Sequence, residues 1–295
     1  MKPIVVLGTG SGWHVEDLKR AARSLGLDLR TVRFSDVSAT LGTATAKVQA
    51  GGLELTEAGG VLVRTMPPGS LEQVVFRMDA LHRVAAAGVV VWNSPRAVEA
   101  AVDKYLTLSL LERVGLPIPP TWTGQSAVEA LAAFDAMAGD VILKPLFGSE
   151  GRGLLRLSDR ELAWRAFHAL ERLGAVLYLQ RAVRSPGSDL RVLVLQGRVL
   201  GSIRRYPAPG EWRTNVSRGG RVEPCSLEPE EERLALAAAA AVGTEIAGID
   251  LIEDLDRNGP RVLELNAVPG WRGFAGATGI DVATALLLGL REAMR

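Results

Sequence analysis

The stretch Val262-Leu-Glu-Leu-Asn-Ala-Val-Pro-Gly-Trp271 holds Glu264 and Asn266 two residues apart in an apolar run. Residues i and i+2 of a strand share a face, so two oxygen donors stand side by side near the end of a buried strand. Upstream, Ala247-Gly-Ile-Asp-Leu-Ile-Glu253 sets Asp250 in the middle of a second apolar run. Two carboxylates and an amide oxygen on adjacent strands form a hard-oxygen site, of the kind Mg²⁺ takes when phosphates supply its other ligands. Turn chemistry at a strand end accounts for the same residues, so the motif needs support from elsewhere in the chain.

That support begins at Val141-Ile-Leu-Lys-Pro-Leu-Phe-Gly-Ser-Glu-Gly-Arg-Gly153. Lys144 ends a strand, and Gly148, Gly151 and Gly153 form a loop whose amides can approach phosphate without Cβ obstruction. No Gly-Lys-Ser/Thr precedes a helix, so this is not a Walker A loop. Gly8-Thr-Gly-Ser-Gly12 follows a strand and precedes a helix, but its glycine spacing is wrong for a dinucleotide fingerprint. It reads as a tight turn that touches substrate.

Outward from these motifs, residues 1–95 alternate strands (4–7, 29–34, 60–63, 89–92) with helices (14–25 and 71–87, the latter capped by Ser70), which implies a small parallel sheet. A hairpin around Gly51-Gly52 is inserted. Residues 97–113 form one or two helices, and Pro117, Pro119 and Pro120 mark a boundary. A compact α+β module follows to about 183. Next come a hairpin around Gly197, a helix over 230–242, the two strands with the oxygen donors, and a closing helix over 282–294. The domains are therefore expected at 1–95, 96–183 and 184–295, in a chain of mixed α/β and α+β class.

Composition narrows the function. A 47% hydrophobic and 23% charged chain is ordinary for a soluble globular protein, and a net charge of +1 offers no field for nucleic acid or membrane. One cysteine, Cys225, forms no internal disulfide and suits a reducing cytosol, so a cytoplasmic location is expected. Nine arginines run from Arg181 to Arg221, against only Asp189 and Glu211. A solvated face explains them as well as a pocket for phosphates and carboxylates does. Only five lysines stand beside 29 arginines, so Lys104 and Lys144 stand out as compact point charges. His14, His82 and His168 fall in no motif and read as surface or core residues.

The order of these parts resembles the ATP-grasp superfamily, specifically the RimK-like carboxylate–amine ligases. The resemblance spans 93–295. It rests on Asn93-Ser-Pro95, Asp103-Lys104, Leu143-Lys144-Pro145 with the glycine loop, Leu179-Gln180, Asp189-x-Arg191, Arg213-Thr-Asn215, Arg218-Gly-Gly220, Asp250, Glu264-x-Asn266 and Thr278-Gly-Ile-Asp281. It implies an ATP-grasp fold behind a Rossmann-like N-terminal domain. Lys104 and Lys144 resemble the phosphate-contacting lysines, and Gly148, Gly151 and Gly153 the lid over the triphosphate. The backbone after Gln180, at Arg181 and Ala182, resembles the segment that reads adenine, and Asp189 the ribose-contacting acid. Arg191, Arg204 and Arg213 resemble catalytic residues that hold phosphate or the acceptor carboxylate, with Arg213 and Asn215 beside the nucleotide. Asp250, Glu264 and Asn266 resemble the Mg²⁺ ligands. The family often has an acidic residue after the hinge glutamine, where this chain has Arg181.

The chemistry so implied is an ATP-dependent, ADP-forming ligation. A carboxylate becomes an acyl phosphate, and an amine then attacks it, with ATP and Mg²⁺ (or Mn²⁺ in its place) as cofactors. L-glutamate ranks first as the amino acid added, and a small-molecule cofactor precursor ranks just ahead of a peptide as acceptor. The Arg213 to Gly220 segment also resembles lysine-biosynthesis ligases that glutamylate an α-aminoadipate amine. The intact Ala267-Val-Pro-Gly270 sides instead with α-glutamate ligases acting on ribosomal protein or on pterin and deazaflavin cofactors. An ATP-grasp kinase or a nucleotide sensor is the alternative of another class. A homo-oligomer is expected, and each of Asp250→Ala, Glu264→Ala and Asn266→Ala is expected to leave the fold largely intact but lower turnover by about 10²-fold or more.

Overall fold

The structure, a computed structural model, describes residues 2–42, 47–148, 151–214, 219–257 and 259–295. Ile4–Gly8 (β1) is buried at every position, as a central strand covered on both faces must be. Helix α1 (Trp13–Leu25) buries Val15, Leu18, Ala21 and Ala22 on one stripe and stops at Gly26, whose φ of 64° gives a left-handed cap. It leads to β2 (Leu29–Arg33). A three-stranded antiparallel sheet of β3 (Val37–Thr40), β4 (Lys47–Ala50) and β5 (Leu53–Glu54) follows. The insertion thus has one strand more than the expected hairpin, because β3 pairs along β4.

Strand β6 (Gly60–Val63), helix α2 (Leu71–Ala86) and strand β7 (Val90–Trp92) complete the first unit. Ser70 and Gln73 form a reciprocal capping box at the start of α2. The parallel order is β2-β1-β6-β7. The chain leaves β1 toward one edge and β6 toward the other, so a crevice opens between the carboxyl ends of these two strands.

The helical link is split at Asp103 into α3 (Pro95–Val102) and α4 (Lys104–Arg113). Asp103 Oδ1 accepts the Leu106 amide at 3.0 Å, which starts α4 and sets Lys104 at its first position. Strands β8 (Thr121–Gly124), β9 (Val141–Lys144), β10 (Leu155–Leu157) and β11 (Leu177–Arg181) form an antiparallel sheet of order β10-β9-β11-β8. Helices α5 (Ala127–Ala136) and α6 (Arg160–Arg172) pack against it through Phe134 and Phe167.

The last sheet has the order β14-β13-β12-β15-β16, from β12 (Asp189–Leu195), β13 (Arg198–Tyr206), β14 (Arg221–Pro224), β15 (Ile246–Asp254) and β16 (Gly259–Asn266). Its pairings Asp189↔Arg205, Arg191↔Asp250 and Asp250↔Glu264 put these charged residues on one face. The opposite face buries Val192, Val194, Ile249 and Leu251 against α7 (Pro229–Val242). Helices α8 (Arg272–Thr278) and α9 (Val282–Ala293) finish the chain. Leu286, Leu287 and Leu290 of α9 share a core with Ile4, Leu62 and Trp92, so the chain's last helix is buried against the first unit. Among the described residues no single helix is long and apolar enough to cross a membrane.

Candidate functional site

A cleft of about 470 Å³ lies between the middle sheet and the charged face of the last one. Lys104, Lys144, Gly148, Gly151, Gln180, Arg181, Ala182, Asp189, Arg213, Asp250 and Glu264 all line it. Lys144 ends β9, and its ammonium donates to Gln180 Oε1 at 2.6 Å. Burial lowers the Lys144 pKa to about 8 against the opposing pull of Glu264, and neighbouring Lys104 lowers it further. Lys104 Nζ reaches the Gly148 carbonyl at 2.8 Å, so the lysine braces the base of the glycine loop. Burial lowers the Lys104 pKa as well, while Glu264 and Asp103 raise it. Two partly desolvated ammonium groups facing one carboxylate are ready for a polyanion.

A closed ionic network forms the floor. Arg191 holds Asp250 through two bonds of 2.7 Å. Arg205 holds Asp189 at 2.6 and 2.7 Å and reaches Asp250 at 2.9 Å. Thr214 Oγ1 donates to Asp189 at 2.5 Å. Burial opposes ionisation of Asp250, but Arg191 and Arg205 outweigh it and hold its carboxyl below the usual range. Burial likewise acts against the charge on Arg205, and Asp250 and Asp189 overcome it.

This donor set fits a divalent cation. A carboxylate offers about four lone-pair sites, and the three guanidinium bonds leave Asp250 one. Glu264 lies beside Asp250 in register, and Asn266 Nδ2 donates to Glu264 Oε1 at 2.9 Å, which leaves the amide oxygen for a cation. Among the described residues no group of three or more His, Cys, Asp or Glu is placed to hold a metal. The candidate instead joins two carboxylates to an amide, with room for phosphate oxygens, as suits Mg²⁺.

The structure departs from the sequence expectations at Arg204. Side chains alternate across a strand, and the register that pairs Asp189 with Arg205 pairs Arg204 with Leu190, on the face toward α7. Arg205 takes the place expected for Arg204, and the dipeptide alone could not show which of the two faces the cleft. Arg213 does line the cleft, with Nη2 on Glu211 at 2.5 Å and its guanidinium over Trp212 at 5.6 Å. Asn215 lies outside the described residues, as do Ser149 and Glu150 of the glycine loop. The loop glycines Gly148, Gly151 and Gly153 have φ of 146°, 67° and 72°, which a side chain would strain.

At the hinge, the Arg181 and Ala182 amides already donate to the carbonyls of Pro120 and Asp140, both at 2.9 Å. Any backbone donor to a base therefore comes from the next residue, Val183, whose amide makes no such bond among the described residues. Arg181, at the position where an acid is expected from the resemblance, turns its guanidinium to the fully buried Asp254 at 3.1 Å.

Residues of the first unit, unassigned by sequence reasoning, grip the loop after Asn266. Arg64 Nη2 donates to the Pro269 carbonyl at 3.0 Å, and His14 Nε2 accepts the Trp271 amide at 3.0 Å. Asp17 accepts Trp271 Nε1 at 2.9 Å, and Asn93 Nδ2 donates to the carbonyls of Ile246 and Ala267. Burial, Arg64 and Arg272 lower the His14 pKa to about 4 against Asp17, so the ring is a neutral acceptor. Asn93-Ser-Pro95 carried a sequence signal, whereas Arg64 and His14 had none beyond their place after or at the edge of a strand–turn–helix.

A family model for a RimK-like ATP-grasp domain matches residues 101–290. The tetrahydromethanopterin:alpha-L-glutamate ligase of Methanosarcina acetivorans is 37% identical over 306 residues, spanning 93% of this chain and 94% of that one. A probable alpha-L-glutamate ligase of Shewanella amazonensis is 30% identical over 98% of this chain and 95% of its own. The ATP-grasp ligase PsnB complexed with minimal precursor matches with a TM-score of 0.80 at 26% identity, covering 100% of both chains.

Proposed function

Because the chain belongs to the RimK-like ATP-grasp family of carboxylate–amine ligases, which use ATP with Mg²⁺, we propose that it joins L-glutamate through an amide bond to the carboxylate of a low-molecular-weight, pterin-type cofactor precursor. The observation that carries this reading is the 37% identity, over nearly the whole of both chains, to a ligase named for tetrahydromethanopterin and L-glutamate. The site supports it chemically. Lys104, Lys144 and Arg213 line one cleft with Asp250 and Glu264, so cations and oxygen donors converge where a triphosphate and a carboxylate would meet.

In this reading the acceptor carboxylate attacks the γ-phosphorus of ATP, and the bond to ADP breaks. The glutamate amine then attacks the acyl phosphate, losing a proton as phosphate leaves. Asp250, Glu264 and Asn266 would hold Mg²⁺, which would offset charge on the phosphates. Lys144 and Lys104 orient the phosphates, and Gly148 and Gly151, which line the cleft, leave the backbone free to approach them. A peptide carboxylate is the second reading, favoured by the likeness to PsnB, which is complexed with minimal precursor in one structure and with precursor peptide PsnA2 in another.

The test is ADP release in the presence of Mg·ATP, L-glutamate and a tetrahydromethanopterin-type acceptor, with hydroxylamine added in parallel. Amide formation dependent on both substrates, diverted to a hydroxamate by hydroxylamine, is expected. ADP release that ignores the amine, with no hydroxamate, overturns the ligase reading in favour of a kinase.

A further inference from the structure

The crevice at the carboxyl ends of β1 and β6 plays no part in the nucleotide site, yet it is built for an anion. Arg64 follows β6 directly and is 6% exposed. The one side-chain hydrogen bond it makes among the described residues goes to the Pro269 carbonyl, and its guanidinium lies 4.5 Å from the centre of the Trp271 ring. Burial lowers its pKa to about 10, and among the described residues no carboxylate pairs with it. A guanidinium still carries its charge at neutral pH, and a buried charge without a counter-ion is costly. The nearby acid, Asp17, is engaged by Arg20 and by Trp271 Nε1.

Two further features point the same way. The N-cap of the 13-residue helix α1 is Gly12, which has no side chain to accept the first-turn amides, so the positive end of the helix is open. His14, in that first turn, is close enough to Arg64 for the guanidinium to depress its pKa, which places helix end and cation together. Arg272 lies over Trp13 at 5.9 Å on the same side and adds a second cation. Crevices of this kind, where the strand order reverses, are where open α/β sheets take ligands. This one adjoins the charged sheet. A Cβ placed on Gly248 would lie 3.1 Å from Pro269 Cβ and 3.7 Å from Arg191 Nε, so Pro269 spans the gap between Arg64 and the residue that holds Asp250.

We infer that Arg64 and the open N-terminus of α1 bind a non-reacting carboxylate of the amino acid being added, holding its amine on the side of the loop that leads to Asn266. The inference rests on the ligase reading for the identity of the substrate, but its test does not require turnover. Calorimetric titration of L-glutamate into the protein with Mg·ADP measures binding in the wild type, Arg64→Lys and Arg64→Gln. L-glutamine and 4-aminobutyrate, which lack the γ- and the α-carboxylate respectively, are titrated in parallel.

Arg64→Gln is expected to weaken L-glutamate about tenfold or more, and Arg64→Lys less, with ADP affinity unchanged. The analogue that lacks the bound carboxylate should bind wild type and variant alike. Equal weakening of all three ligands would mark a structural role and overturn the inference. So would no effect on any of them, or no binding of L-glutamate to the wild type. If Arg64→Gln does not fold, Arg64→Lys carries the same comparison. A wild type that binds L-glutamate through Arg64 but forms no hydroxamate would leave this site standing and remove the ligase reading.

Discussion

Arg205 and Arg64 are buried to the same degree, 4% and 6% exposed, but they meet that burial in opposite ways. Arg205 sits in the last sheet, where antiparallel register brings Asp189 and Asp250 to it, so its charge is satisfied within the chain. Arg64 stands at the end of a parallel strand, where the neighbouring segments are glycine turns and helix ends, and it finds a carbonyl and an aromatic face. A paired buried cation shapes a site; an unpaired one invites a ligand. The last sheet is a finished electrostatic structure, while the first holds charge in reserve.

The difference can be broken by removing each cation in turn. Arg205→Met strands Asp189 and Asp250 in a buried position, and losing one partner of such a network costs about 3–5 kcal/mol. Arg64→Met removes one hydrogen bond and a stacked cation but also an uncompensated charge, so a loss of about 1 kcal/mol or less is expected. Urea unfolding of both variants measures the two losses. Equal destabilisation would mean that Arg64 is as structural as Arg205.

Next in size are the oxygen donors. Glu264→Ala should lower turnover by about 10²-fold or more with a native-like melting temperature. Asp250→Ala should lower turnover as much and also destabilise the fold, because it leaves Arg191 and Arg205 facing each other without a shared acid. The sequence alone leads to the expectation that Asp250 can be removed with the fold largely intact; the two arginines paired with it predict a structural cost. A strand motif shows which face a carboxylate occupies, not how many arginines lean on it. Wild-type turnover in a well-folded Glu264→Ala protein would reject the metal assignment.

Lys144 gives a smaller, pH-dependent effect. Its pKa in the free protein is about 8, and a bound polyphosphate favours the ammonium form and raises it. Nucleotide binding near pH 8 should therefore take up a proton, and affinity should fall as pH rises through 8, by up to about tenfold per unit. Below about pH 7 the lysine is already charged and affinity should be flat. Calorimetry of Mg·ADP binding in two buffers of different ionisation enthalpy reads the proton directly. The slope should vanish in Lys144→Met, and a slope that survives that substitution would assign the proton elsewhere.

How far these features were legible in the sequence follows from the range of the forces involved. Strand periodicity and glycine punctuation are local, so β1, α1, the loop after Lys144 and the Glu264/Asn266 pair could be read from a few neighbouring residues. Cross-strand register is not local. Whether Arg204 or Arg205 meets Asp189 depends on the register shift between Leu193 and Val194 inside the hairpin, which moves the pairing by one residue and which the sequence pattern does not disclose. Arg64 was invisible for a related reason. A cation after Val63 is unremarkable until Pro269 and Trp271, some two hundred residues later, bury it.

The smallest effect tests that register argument. Arg204 pairs with Glu223 and Leu190 across the strands, on the face away from the cleft. Arg204→Ala should then change stability by about 0.5 kcal/mol or less, as partly exposed substitutions away from special features do. It should leave kcat and the KM for ATP within about threefold of the wild type, since uniform surface losses do not reach the transition state. Steady-state kinetics of Arg204→Ala beside Arg204→Lys measures this. A kcat lowered tenfold or more in both variants, with the melting temperature held, would put the Arg204 guanidinium on the reacting groups. The alternation that assigns the cleft to Arg205 would then fail at this end of β13.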